Sequence, residues 1–197
     1  QDNFTRLDNA WGFTKVGVTT DPALSTERAE YYNSALKFVV GVGVGNYCVM
    51  SRNSRVWLDS IISLEVGLHT VLTPSAVLLS LNYNDESGSY GSKLYIHNTG
   101  EQISYYDQNQ DYILLDNFGS NIFGNSYWHT LKLDLDMQNK NYIRARLDHN
   151  SYDLKDVPIW HTAGSYYGIM SFSLQVWAHA SWAVTAYVDR FIITEDE

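Results

Sequence analysis

The tightest constraint in this sequence is a two-residue alternation of apolar and polar side chains. It is cleanest in Thr130–Met137, which reads T-L-K-L-D-L-D-M. Leu131, Leu133, Leu135 and Met137 fall on one side of an extended backbone, and Lys132, Asp134 and Asp136 on the other. Successive side chains of a strand point to opposite faces, so this pattern predicts a half-buried β-strand. A polar turn, Gln138–Asn141, separates it from Tyr142–Asp148. There the alternation places Ile143, Ala145 and Leu147 inward, with Tyr142, Arg144 and Arg146 outward. The two runs read as a hairpin whose solvent face carries Asp134 and Asp136 beside Arg144 and Arg146. Opposite charges across strands contribute up to about 1 kcal/mol each, so the cluster reads as structural.

The same logic marks strands in Ser63–Val71, Ala76–Asn84, Lys93–His97, Ile103–Tyr106, Tyr112–Leu115, Gly168–Ala178 and Trp182–Thr194. The spacing predicts roughly ten to thirteen strands in all. Asp21–Tyr31 reads as a loop, and Tyr152–Tyr167, with Pro158, Trp160 and Gly164, as a long connection. Gly41-Val42-Gly43-Val44-Gly45 lacks the spacing and the following helix of a dinucleotide loop and reads as a turn. With 197 residues, 45% of them hydrophobic, the chain suits one domain over residues 1–197. Charged residues are only 18%, and 15 Tyr help to make up the difference, as strand surfaces allow. The expected fold class is all-β, with two antiparallel sheets packed as a sandwich.

Charge narrows the partners. The formal net charge is −9, and the 13 basic residues are scattered without a run. Nucleic acid requires a basic stripe, so it is not an expected partner. The apolar stretches are strand-sized and Pro74 interrupts one of them, which argues against membrane insertion. Cys48 is the sole cysteine, so no intrachain disulfide forms, and its apolar surroundings predict a buried, inert thiol. The start at Gln1 is read as following a removed leader or a trimmed end. Asn3-Phe4-Thr5 fits a glycosylation sequon.

Three segments carry a family resemblance. Trp128-His129-Thr130-Leu131-Lys132-Leu133, followed by a hairpin and Leu147-Asp148-His149-Asn150-Ser151-Tyr152-Asp153, resembles a motif of concanavalin A-like lectin/glucanase and laminin-G-like sandwiches. Ala186–Thr194 is similar to the last strand of carbohydrate-binding-module-like jelly rolls. Ser34-Ala35-Leu36-Lys37-Phe38, after Trp11-Gly12-Phe13, is similar to their early strand. The resemblance implies a two-sheet antiparallel jelly-roll sandwich. It also implies a structural calcium held by an early acid and an Asp of the last strand. Asp189 is present, but the early segment reads Asp2-Asn3-Phe4-Thr5 without the expected Glu, so no metal and no cofactor is expected.

No catalytic string appears. The E-x-D-x-x-E pattern of sandwich glucanases is missing, and of seven Glu only Glu65 lies within an expected strand. Its neighbours Leu64 and Val66 would face the core, leaving Glu65 on solvent or on a groove. The six His are dispersed, and no G-x-S-x-G, P-loop or C-x-x-C occurs. The sequence therefore predicts a non-enzymatic module that acts by contact. The aromatic residues expected to make that contact are Tyr105, Tyr106, Trp160, Tyr166 and Tyr167, with Tyr90 as a further candidate. The partner is a glycan or a protein surface, in an extracellular, cell-surface or virion setting, and a homo-oligomer is compatible with this. Two other readings stay open: a structural decoration protein, and a sandwich-fold glycoside hydrolase or polysaccharide lyase.

Overall fold

Short alternating strands cannot bury their apolar faces singly, and here they do so by stacking into two sheets. The computed structural model describes residues 11–17, 19–28, 34–54, 60–119, 122–124, 127–164 and 168–196. Among these there are fifteen strands and no helix. One sheet runs β1 (Trp11–Val16), β4 (Tyr47–Ser54), β14 (Ile169–Trp177), β6 (Ala76–Asp85), β7 (Gly88–His97), β8 (Gln102–Tyr106) and β9 (Tyr112–Asn117). An eighth strand, β13 (Trp160–Ala163), pairs with β7 beside this path. The facing sheet runs β12 (Asn150–Pro158), β11 (Asn141–Leu147), β10 (His129–Asp136), β5 (Ile61–Thr70), β15 (Val184–Asp196), β3 (Ala35–Val40) and β2 (Ala23–Ser25). Every pairing is antiparallel. The late strands β14 and β15 lie inside the two sheets, between β4 and β6 and between β5 and β3.

The inward faces interdigitate as expected of a sandwich. Leu64, Val66, Leu131, Leu133, Leu135, Phe38 and Val188 come from the seven-stranded sheet. Met50, Leu79, Leu81, Leu94, Ile96, Phe172 and Leu174 come from the other. Cys48 is buried in this core, and burial pushes its thiol up to about 11.

The β10–β11–β12 region explains the tryptophan-led motif. Asp148 sits in the β11–β12 turn with φ 54°. Its carboxylate accepts the Thr130 N–H and pairs with His129 Nδ1, both at 2.8 Å. The Asp148 N–H in turn donates to the Thr130 carbonyl at 2.8 Å. His129 is buried against Phe123.

Several sequence expectations need correction. The strands number fifteen among the described residues, because β12 and β13 occupy most of the stretch expected as a long connection. A three-residue strand, β2, interrupts the expected loop over Asp21–Tyr31, of which 29–31 lie outside the described residues. Tyr142 points inward and is fully buried, where alternation from Ala145 placed it outward. The register shifts between Tyr142 and Arg144, and this β-bulge inverts the phase. Asp134 was expected to be exposed but is buried. Its carboxylate accepts from Ser63 Oγ at 2.6 Å and from Arg144 Nη2 and Nε at 2.7 and 2.9 Å. On a central strand, long neighbouring side chains lie over the outer face and remove a short acid from water.

Candidate functional site

The two outer faces of the sandwich differ in chemistry. That of the seven-stranded sheet carries paired charges: Asp134 with Arg144, and Glu65 with Arg190 at 3.0 Å. The other face is aromatic and carries the cation Lys93. Its composition follows from register, since residues directly opposite on antiparallel strands share a face.

Three cross-strand rows define this face. The first aligns Tyr47, Trp177, Ala76 and His97. The second aligns Val49, Gln175, Leu78 and Tyr95, and the third Ser51, Ser173, Ser80 and Lys93. Beyond the third row lie Asn53, Ser171, Asn82 and Gly91, with Trp160 of β13 opposite Gly91. The rings touch in a chain. Tyr47 meets Trp177 at 6.1 Å between centroids, Trp177 meets Tyr95 at 6.1 Å, Tyr95 meets Tyr112 at 4.7 Å and Tyr112 meets Tyr106 at 5.2 Å. A floor of serine and asparagine lies between this aromatic wall and Trp160. Within it Ser80 Oγ and Ser173 Oγ share a hydrogen bond of 2.7 Å.

Lys93 stands where the floor meets the wall. Its Nζ lies 3.9 Å from the centroid of the Tyr106 ring, a cation–π contact. Half-buried among these residues, it is pushed below the ordinary lysine range by loss of solvent. The backbone beneath it is unusual. Strand β7 pairs with β13 over Gly88–Gly91 and with β8 over Leu94–His97, so Lys93 falls in the gap between two partners. The gap is closed from the opposite sheet. Tyr142 Oη accepts the Lys93 N–H at 2.9 Å and donates to the Tyr106 carbonyl at 2.8 Å. One hydroxyl thus stands in for the missing ladder bond, and the bulge that turns Tyr142 inward puts it there. Burial pushes this hydroxyl far up, so it keeps the proton that it donates.

Trp160 depends on a glycine. A Cβ on Gly91 would come within 2.8 Å of Asn82 Oδ1 and 2.9 Å of Trp160 Cε3, so the indole lies flush on bare backbone.

Of the aromatic residues singled out in the sequence, Tyr106 and Trp160 lie on this face. Tyr105 turns to the other side of β8 and packs edge-on against Tyr142 at 5.5 Å, and Tyr90 is buried between Tyr83 and His161. Tyr166 and Tyr167 lie outside the described residues. Sequence reasoning passed over Tyr47, Tyr95, Tyr112, Trp177 and Lys93. The available signal was parity: Tyr95 lies between the inward Leu94 and Ile96, and Trp177 follows the inward Val176.

No protein-family model matches the sequence. No curated protein matches it by sequence either. Solved structures do match in shape. An endo-beta-1,4-glucuronan lyase from the fungus Trichoderma reesei aligns with a TM-score of 0.62 and 12% identity, over 95% of this chain and 92% of that one. Lectin I-B4 from Griffonia simplicifolia, in a metal-free form, aligns with a TM-score of 0.60 and 7% identity, over 98% and 96%. The fold is that of a concanavalin A-like jelly-roll sandwich. A sialidase also aligns, with a TM-score of 0.55 and 8% identity, over 95% of this chain, which spans 17% of the sialidase. At such identities the likeness carries the architecture alone.

Within this concanavalin A-like sandwich, Glu65 lies on the charged face, away from the aromatic wall, and is held by Arg190. Asp189 is fully buried at the β-bulge of β15. Among the described residues no three His, Cys, Asp or Glu side chains converge on a common point, and Asp2 lies outside them.

Proposed function

We propose that this sandwich is a non-enzymatic binding domain that lays a glycan chain along the outer face of its eight-stranded sheet. The ring sequence Tyr47, Trp177, Tyr95, Tyr112, Tyr106 carries the proposal. Aromatic faces stack on the apolar C–H faces of sugars at low entropic cost, and the adjoining serines and asparagines supply donors and acceptors for hydroxyl groups. The presence of a lectin among proteins of similar fold supports a sugar ligand. Glycoside hydrolysis canonically uses two carboxyl groups about 5–9 Å apart, and no Asp or Glu takes an outward position on the central strands β14, β6 and β7. As a contact module the domain works as a single unit outside a reducing cytoplasm, on a cell or virion exterior.

The test is a glycan array with purified protein, followed by titration of the best ligand against Trp177→Ala and Tyr95→Ala. Each variant should bind about tenfold more weakly, as central aromatic contacts do. Unchanged binding by both variants would remove the aromatic wall from the site. Release of reducing ends or unsaturated sugars from a polysaccharide panel would overturn the non-enzymatic reading.

A further inference from the structure

We propose that the ligand of this face is an acidic polysaccharide, and that Lys93 receives its carboxylate or sulfate groups. The inference rests on the glycan-binding reading above and adds the charge of the sugar.

The first observation is the distribution of charge. The chain has 22 acidic residues and a formal net charge of −9. Yet among the described residues no Asp or Glu takes an outward position on β1, β4, β14, β6, β7, β8 or β13. Asp107 and Asp111 lie in the turn after β8, within electrostatic reach of Tyr106. The Asp107 carboxylate is engaged by the Asn109 and Asp111 N–H groups, both at 2.9 Å. Strands free of outward carboxylates in an acidic protein leave the floor beside Lys93 without like-charge repulsion for an anionic chain, and acids beyond about 8 Å are screened at physiological salt.

The second observation is the state of Lys93. Lys15, Lys37, Lys132 and Lys140 each lie within salt-bridge distance of a carboxylate. Among the described residues Lys93 and the exposed Lys155 do not, and of these two only Lys93 is drawn out of solvent, with no hydrogen-bond acceptor for its ammonium. Its ammonium lies against the Tyr106 ring. A half-buried ammonium has given up part of its hydration, and a ring face replaces that incompletely because it leaves N–H donors unused. A carboxylate or sulfate on a sugar stacked against the wall would take those donors, in a charge-assisted bond strengthened by the partly dry setting. A neutral sugar would leave the cation as it is.

The experiment compares polymers that differ in charge: polygalacturonate against its fully methyl-esterified form, and dextran sulfate against dextran. Binding is measured by affinity electrophoresis and calorimetry with the whole chain. The acidic member of at least one pair should bind about tenfold more tightly, the scale of one charge-assisted hydrogen bond. The pair that responds separates carboxylate from sulfate. Lys93→Met should abolish the preference while keeping the melting temperature, and Lys93→Arg should retain it. Equal binding within both pairs overturns the proposal, as does a preference that survives in Lys93→Met. If the members bind equally and Trp177→Ala weakens both, the aromatic-wall reading stands and the acidic-ligand reading falls. If no member of either pair binds, and none does on the array, both fall.

Discussion

Tyr142 is the residue on which the proposed site turns. Its hydroxyl satisfies one N–H and one carbonyl of the backbone that carries Lys93 and Tyr106. Removing that oxygen leaves two buried polar groups without a partner, at about 1–3 kcal/mol. Tyr142→Phe should therefore lower stability by that amount in urea denaturation. It should also weaken ligand binding, although the ring never touches the ligand. An intact affinity in Tyr142→Phe would show that the strand gap holds its shape unaided. This residue also marks where the sequence stopped being legible. Strict alternation from Ala145 sent Tyr142 outward, and one extra residue at a bulge reverses everything beyond it. Bulges carry no simple compositional mark. Asp134 departs for a different reason: it takes the outer face that parity assigns, but parity says nothing of the Arg144 and Lys132 side chains that cover it.

At the scale of elements, β7 organises the face by exchanging partners, β13 along one half and β8 along the other. Gly91 allows β13 to bring Trp160 close. Gly91→Ala should displace the indole and Asn82, at about 1–3 kcal/mol for overpacking. Its measurable signs are a shifted tryptophan emission and weaker glycan binding. A variant that melts and binds as the parent does would mean that the indole can withdraw freely. The strands themselves were largely readable, because Thr130–Met137, Ala76–Asn84 and Gly168–Ala178 all alternate cleanly. The site was read only in part. Tyr95 and Trp177 sit within strands, where an aromatic residue is equally at home in a core. Only the order of strands in the sheet brings Tyr47, Trp177 and Tyr95 together, and that order depends on long-range pairing.

For the whole molecule, the distribution of charge predicts its response to acid. A hydrogen bond from Asn139 chiefly holds Asp136 below its ordinary value of 3.8. Burial pulls Asp148 upward, but the bonds from His129 and Thr130 outweigh it and leave this group below 3.8 too. A carboxylate whose folded pKa is depressed contributes stability that is fully present above the unfolded value and lost as the pH falls through the folded one. The urea midpoint should therefore decline as the pH drops from about 4 toward 2. Asp148→Asn should be less stable at neutral pH and show a shallower decline. An unchanged slope in that variant would assign the acid sensitivity to other groups.

Tyr142 and Lys93 are 49 residues apart in sequence and belong to opposite sheets. A nascent β7–β8 hairpin would have the rings but not the hydroxyl that fills its interrupted ladder. That group arrives only when the two layers dock, a contact of long sequence separation that forms slowly. Competence to hold a ligand is therefore a property of the finished molecule, and it should appear during refolding no earlier than closure of the layers. A ligand on the aromatic face would act as a latch, favouring the docked sandwich over any half-assembled chain in proportion to its occupancy.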